Sequence, residues 1–206
     1  MSIQINYKNS GLKKPLTNLV LFADEKFNIS NLKKYISDSE FFYINDLLKT
    51  SDLKKNLLIF ELNSKKKIVL ISVKSNLETS DIENLGAEFY ERINHENKNE
   101  YFVNSDSIKS KNENFIGYFL HGLKLKSYEF NLYKSKKEQK LISINVIGNK
   151  NKITVKNELR FKAIEEGTFF ARDLVSEPPN VLNPKEYTSR LLKLRKLGIK
   201  VTVYNE

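Results

Sequence analysis

Three of the four prolines in this 206-residue chain fall between positions 178 and 184. Each proline fixes φ and lacks a backbone donor, and it pushes the residue before it out of helical conformation. A helix entering Pro178 must therefore stop. Upstream, from Asn157 to about Leu174, the apolar residues Leu159, Ala163, Ile164, Gly167, Phe170, Ala171 and Leu174 fall on one predicted helical face. Downstream, Asn183 is a good N-cap, Pro184 occupies the favoured first helical position, and Glu186 stands at capping-box spacing. Tyr187, Leu191, Leu194 and Leu197 continue that helix, Gly198 supplies a C-cap, and Ile199, Val201 and Val203 alternate as a strand. One helix and one strand cannot bury both apolar faces alone. The segment 171–184, ARDLVSEPPNVLNP, therefore reads as a domain junction, and the residues after it as an incomplete second α/β domain. Leu191, Leu194, Ile199 and Val201 are expected not to be all buried within this chain.

The first part of the chain has a different rhythm. Short apolar runs at Leu19–Ala23, Leu57–Leu62 and Ile68–Val73 read as buried strands. The linker NSKKK between the last two permits an antiparallel hairpin or meander. Tyr101–Val103 and Leu141–Ile147 are two further strands. Between them, Ile29–Leu48 holds one or two short helices. Ser80–Ile93 is a clear helix with Ser80 and Glu83 at capping-box spacing and Ile82, Leu85, Phe89 and Ile93 in one stripe. Asn114 caps another helix through Phe115, Phe119, Leu120 and Leu123. Interleaved strands and helices predict a layered α/β domain around a largely buried sheet.

Composition narrows the function classes. The chain has no cysteine, which removes disulfides, thiolate metal sites and cysteine nucleophiles, and fits a reducing cytoplasm. No segment reaches the ~18 to 20 apolar residues of a membrane span, and the N-terminus lacks the ~7- to 15-residue apolar run of a signal peptide. A cytoplasmic protein without a membrane partner is the expectation. The formal net charge is +10, which permits nucleic-acid binding. However, only five of the 35 basic residues are Arg, the residue favoured for bidentate phosphate contacts. A solvated Lys-rich surface is the simpler reading.

A search for chemistry finds little. The two histidines, His95 in a polar loop and His121 after an apolar helical segment, lack an i+4 histidine or an HExxH context. There is no GxSxG, GxxxxGK[ST] or GxGxxG. Phe22, Phe60, Phe89 and Phe119 sit at core-facing positions rather than on a stacking surface. The acidic groups Asp24–Glu25, Asp81/Glu83 and Glu165–Glu166 read as caps or solvated faces. A two-metal hydrolytic site needs several convergent carboxylates around ions ~3.5 to 4 Å apart, and this chain offers no such set. No catalytic and no metal-binding residue is assigned.

The segment Glu165–Glu206 resembles the start of the catalytic domain in leucyl aminopeptidases. The matching core is Ala171-Arg172-Asp173-Leu174-Val175, then Glu177-Pro178-Pro179-Asn180, then Pro184. Ser176 stands where the family commonly has Asn. Upstream, Tyr128, Phe130, Tyr133 and Lys134 match a Y-x-F-x-x-Y-K stretch, and Gly122-Leu123 precedes it suitably. The likeness is loose before Phe115, where Lys49 to Lys54 and the two strands after it follow the family's order.

The resemblance implies an N-terminal macro-like α/β domain over residues 1–150 with a mixed sheet flanked by helices. A linking helix over 151–175 and a truncated start of the metallopeptidase domain over 176–206 follow. It also implies two divalent ions, Zn²⁺ or Mn²⁺, in the complete enzyme, peptides with free N-termini as substrates, and a homohexamer. Their ligands belong to motifs resembling DKGLTFDSGG and NTDAEGR, which lie beyond the point equivalent to Glu206. This chain alone is therefore expected to bind no cofactor and to be inactive. Arg172, Glu177, Pro178, Pro179 and Asn180 are expected to fix the junction by hydrogen bonds and backbone stiffness. Two alternatives remain at this point: a non-catalytic module binding DNA through its basic surface, as some family members do, and nucleotide-derivative binding by the macro-like domain.

Overall fold

The structure is a computed structural model that describes residues 3–8, 17–94, 100–135, 141–149 and 153–204. The chain falls into two compact units, Met1–Lys162 and Ala163–Glu206.

The first unit is built on six strands: β1 (Ile3–Lys8), β2 (Asn18–Asp24), β3 (Leu57–Asn63), β4 (Lys66–Val73), β5 (Glu100–Asn104) and β6 (Ile142–Ile147). Their order across the sheet is β1-β6-β5-β2-β4-β3. All neighbours are parallel except β3 and β4. That pair is the hairpin expected from NSKKK. Its turn is closed by Asn63 Oδ1, which accepts from the N–H groups of Lys65 and Lys66 at 2.8 and 3.0 Å.

Period-two alternation decides the layers. Val20 and Phe22 of β2 point to one core, while Leu19, Leu21 and Ala23 point to the other. Helices α2 (Thr79–Ile93) and α3 (Phe115–Lys126) cover the first face. Helix α1 (Asp38–Leu48) and the 3₁₀ turn Ser30–Tyr35 cover the second. The mixed α/β sheet flanked by helices is thus as expected from sequence.

Strand β1 was not anticipated. Ile3, Ile5 and Tyr7 alternate, but a single short run with Gln4, Asn6 and Lys8 between gave little to weigh. Its reverse face explains the polar residues. Asn6 Nδ2 donates to Ser143 Oγ at 3.3 Å and Asn145 Oδ1 at 3.4 Å. Asn145 Nδ2 passes on to Glu100 Oε1 at 3.0 Å. A part-buried polar ladder thus crosses β1, β6 and β5 and gives the buried Asn145 its partners.

Two caps differ from expectation. Helix α2 begins at Thr79, and its entry is held by Asp81, whose Oδ2 accepts from the N–H of Glu78 at 3.1 Å. Ser80 and Glu83 are not the capping pair, because the N-cap is Glu78, two residues before Ser80. Asn114 does occupy the N-cap of α3, yet its side chain makes no capping bond. Its Oδ1 accepts from Asn157 Nδ2 instead.

Helix α4 (Val155–Ser176) runs from the first unit into the second. Its apolar face is not the buried one. Leu159, Ile164 and Val175 are exposed, whereas Phe161 and Glu165 are buried. Phe161 fits where α3 has no side chain, since a Cβ on Gly117 would lie 2.5 Å from its ring.

In the second unit, helix α5 (Pro184–Leu192) starts as expected. Asn183 Oδ1 accepts from the N–H of Glu186 at 3.0 Å, and Pro184 is at the first position. The 3₁₀ turn Lys193–Leu197 ends at Gly198 with φ 81°, the left-handed cap for which glycine carries no Cβ penalty. The expected strand Ile199–Val203 does not form: these residues are irregular. A strand needs ladder partners, and the described residues of this unit contain none. The Val201 carbonyl accepts instead from Arg195 Nε and Nη2 at 3.2 and 2.6 Å. None of Leu191, Leu194, Ile199 and Val201 is fully buried.

Candidate functional site

Four places merit attention: the ends of the parallel strands, the His121 pair, the carboxylates and the junction. In an open α/β sheet, ligands bind outside the carboxyl ends of strands, where the strand order reverses. Here that point lies between β2 and β5, since β2 leads to one side of the sheet and β5 to the other. It is filled. Beyond Val20, β5 leaves the pairing with β2 and folds into the 3₁₀ turn Ser105–Ser107. Ser107 Oγ accepts the N–H of Phe22 at 3.0 Å and donates to the Asn104 carbonyl at 2.7 Å. Ser105 Oγ donates to the Ile147 carbonyl at 3.1 Å. Gly148, φ 116°, lets the chain pass this turn, for a Cβ there would lie 2.6 Å from Ser105 Oγ. The described residues thus leave no phosphate cradle at the switch point.

His121 lies on α3 at 5% exposure, with Nδ1 2.8 Å from Glu83 Oε1 on α2. Its ring is 5.2 Å from that of Phe161, and Nε2 is buried without a partner. The pair is brought together by two glycines. A Cβ on Gly86 would come within 1.9 Å of the Phe119 carbonyl oxygen, and one on Gly122 within 1.9 Å of that of Glu83. The sequence showed His121 as a packed residue, but a partner 38 positions away leaves no local signal. His95 lies outside the described residues.

The other carboxylates separate. Asp24 Oδ1 accepts from the N–H groups of Lys26 and Asn28 and closes a turn. Asp81 caps α2. Glu165 departs from its expected solvated face: it is 3% exposed. Among the described residues, no group of three or more His, Cys, Asp or Glu could hold a metal ion. The described residues do not supply ligands for the two divalent ions that the aminopeptidase resemblance implies.

At the junction, the Pro178 carbonyl accepts from Val181 and Leu182 N–H groups at 3.0 and 2.9 Å. Glu177 is almost enclosed, with 2% side-chain exposure, and its Oε1 accepts from Arg190 Nη1 at 2.9 Å. Arg190 Nε also donates to Glu186 Oε1 at 3.1 Å. Glu177, and then Glu186, hold the guanidinium above its ordinary pKa. Arg172 is half-buried on α4, and Pro179 and Asn180 are exposed. Arg190 was not singled out from sequence, although its i+4 spacing from Glu186 was visible.

No family model matches the chain. A probable cytosol aminopeptidase of Agrobacterium fabrum is 37% identical over 94 residues, covering 43% of this chain and 19% of that protein. One of Rhizobium rhizogenes is 30% identical over 138 residues, covering 63% and 28%. The chain is related to the leucyl aminopeptidases. In structure, it resembles a tomato leucine aminopeptidase mutant, with a TM-score of 0.69 at 18% identity over 95% of this chain and 42% of that one. The bottromycin maturation enzyme BotP, solved also in complex with Mn, gives a TM-score of 0.63 at 12% identity over 93% and 39%. These structures agree with the fold of the aminopeptidase N-terminal domain. The chain spans less than a third of the length of either curated aminopeptidase. The DNA-binding alternative draws no support from these relatives.

Proposed function

We propose that this chain is the non-catalytic N-terminal portion of a metal-dependent leucyl aminopeptidase. Three parts compose it: the α/β domain over residues 1–150, a linking helix over 151–175 and the opening of the catalytic domain over 176–206. The observation that carries the reading is the likeness to a curated aminopeptidase that takes in 63% of this chain and only 28% of that protein. In the complete enzyme, two divalent ions, Zn²⁺ or Mn²⁺, would supply the hydrolytic chemistry. Their ligands would come from outside this chain, so no step of the reaction is assigned to its residues.

Arg172, Glu177, Pro178, Pro179 and Asn180 set the course of the junction in this reading and do not touch substrate. The enclosed Glu177–Arg190 pair supports that role, for a carboxylate already taken by a guanidinium is a poor ligand for a peptide's ammonium. The complete protein is proposed to act in the cytosol on peptides with free N-termini, as a homohexamer. No helix is long and apolar enough to cross a membrane among the described residues. The test is to read the gene past codon 206. The frame should continue through motifs resembling DKGLTFDSGG and NTDAEGR; a stop directly after codon 206 would overturn the proposal.

A further inference from the structure

We infer that the open edge of β3 is the contact by which two copies of this chain pair, antiparallel and about a two-fold axis at Ile59. β3 ends the sheet, and no described strand lies on its other side. Its backbone phase is fixed by β4. The Ser72 N–H donates to the Asn56 carbonyl at 2.8 Å, and Leu57 stands opposite Ile71. Bonded and non-bonded pairs alternate along an antiparallel ladder. Leu58 and Phe60 therefore turn their amides to β4, while Leu57 and Ile59 turn theirs to the open side.

Native sheets blunt such an edge with lysine, proline or an inward-pointing charge. From Leu57 to Phe60, β3 reads LLIF and has none of these. Both faces of the strand are apolar. Leu57 and Ile59 face the core beneath α2 and α3, and Leu58, Phe60 and Leu62 face the one beneath α1. Leu58, Ile59 and Leu62 are only half-buried, and one more strand would cover the rest of them. The usable run is short. A register shift between Glu61 and Asn63 breaks it at one end. A turn, in which the Lys55 N–H donates to the Asp52 carbonyl at 3.3 Å, closes it at the other. Ile59 is its middle residue.

Charge selects the occupant. Lys54 and Lys55 are exposed just before β3. Glu61, near its end, has a side chain 70% exposed although it pairs with Lys67 at 2.7 Å. A second copy laid antiparallel sets Ile59 opposite Ile59 and Leu57 opposite Glu61. Glu61 of each chain then lies one diagonal step from Lys55 of the other, within reach of long side chains. A parallel copy would set Glu61 against Glu61 and lysine against lysine, which is destabilising. The antiparallel contact uses the same patch on both chains and closes on itself, so it stops at two. A peptide of unrelated sequence would match the backbone groups but not the charges. The surface lies wholly in the first unit and does not rest on the aminopeptidase reading.

The test is sedimentation velocity of the 206-residue chain from about 1 to 500 µM, a span that covers weak specific contacts. Amide hydrogen exchange is read by nuclear magnetic resonance at both ends of that span. One strand pair is a small contact, so a reversible monomer–dimer equilibrium with a Kd of roughly 10 to 100 µM is expected. The Leu57 and Ile59 amides should gain protection as the dimer forms. Glu61→Lys should weaken the dimer about tenfold or more, because the two-fold axis doubles each change. Lys55→Glu added to it should restore pairing, which it would not do for a folding defect. A chain that stays monomeric throughout would overturn the inference. So would a dimer that Glu61→Lys leaves intact, a dimer in which Leu57 and Ile59 gain no protection, or association that grows past two chains. Pairing is read without metal or substrate, so failure here and failure of the aminopeptidase reading are separable.

Discussion

Gly122 shows how one residue fixes the approach of two helices. Its absent side chain leaves room for the Glu83 carbonyl, and Gly86 does the same for Phe119. Gly122→Ala should gain helix propensity of about 1 kcal/mol yet lose more by forcing α2 and α3 apart, since overpacking costs roughly 1–3 kcal/mol or more. A net loss of about 1–2 kcal/mol in urea unfolding is expected, larger than for an alanine at Gly167, where a Cβ meets nothing within 4 Å. A second residue-level test concerns Glu40. Burial pushes its pKa up, but hydrogen bonds from Lys66 and Ser37 and the Lys66 charge outweigh burial, and the carboxyl ends below its ordinary value of 4.5. The 2.7 Å pair with Lys66 ties α1 to β4. A carboxyl whose folded pKa is depressed contributes stability above its unfolded pKa and loses it as pH falls through the folded one. Melting temperature should therefore fall more steeply below pH 4.5 in the native chain than in Lys66→Met. Equal slopes would show that the pair contributes nothing. Phe22, Phe89 and Phe119 were identifiable as core from their spacing. The glycines and Glu40 were not, because their roles depend on residues that meet them only after folding.

At the scale of elements, periodicity identified what is buried on a repeating pattern. β2 and β4 were readable because their apolar runs are continuous or nearly so, and β6 because its residues alternate. β1 was missed because half of its residues serve an amide ladder, not an apolar face. Ile199–Val203 fails in the opposite way: it alternates as a strand should, but alternation specifies a face and not a partner. Hydrogen exchange discriminates here. Amides of Ile199–Val203 should exchange orders of magnitude faster than those of β4, which is paired on both sides. Strong protection at Ile199–Val203 in the isolated chain would contradict the unpaired state. The cap of α5 gives a further test. Asn183→Ala removes the acceptor for the Glu186 N–H and should cost about 1 kcal/mol of stability in the second unit, seen as lost helical ellipticity at low denaturant.

For the whole molecule, the distribution of chemistry matters more than any single residue. A six-stranded α/β unit accounts for most buried apolar residues. The second unit holds a capped helix and the Glu177–Arg190 pair, with Leu197, Ile199, Val203 and Tyr204 exposed. The junction was legible in sequence because prolines and a cap are local signals. The filled switch point was not, since it depends on which strand ends become neighbours. The most direct measurement is a hydrolysis assay of the purified 206-residue chain with a leucyl chromogenic amide, with Mn²⁺ and with Zn²⁺ in turn. If the catalytic ligands lie outside this chain, turnover will not exceed that of metal alone. Metal-dependent turnover abolished by a substitution within these 206 residues would contradict it.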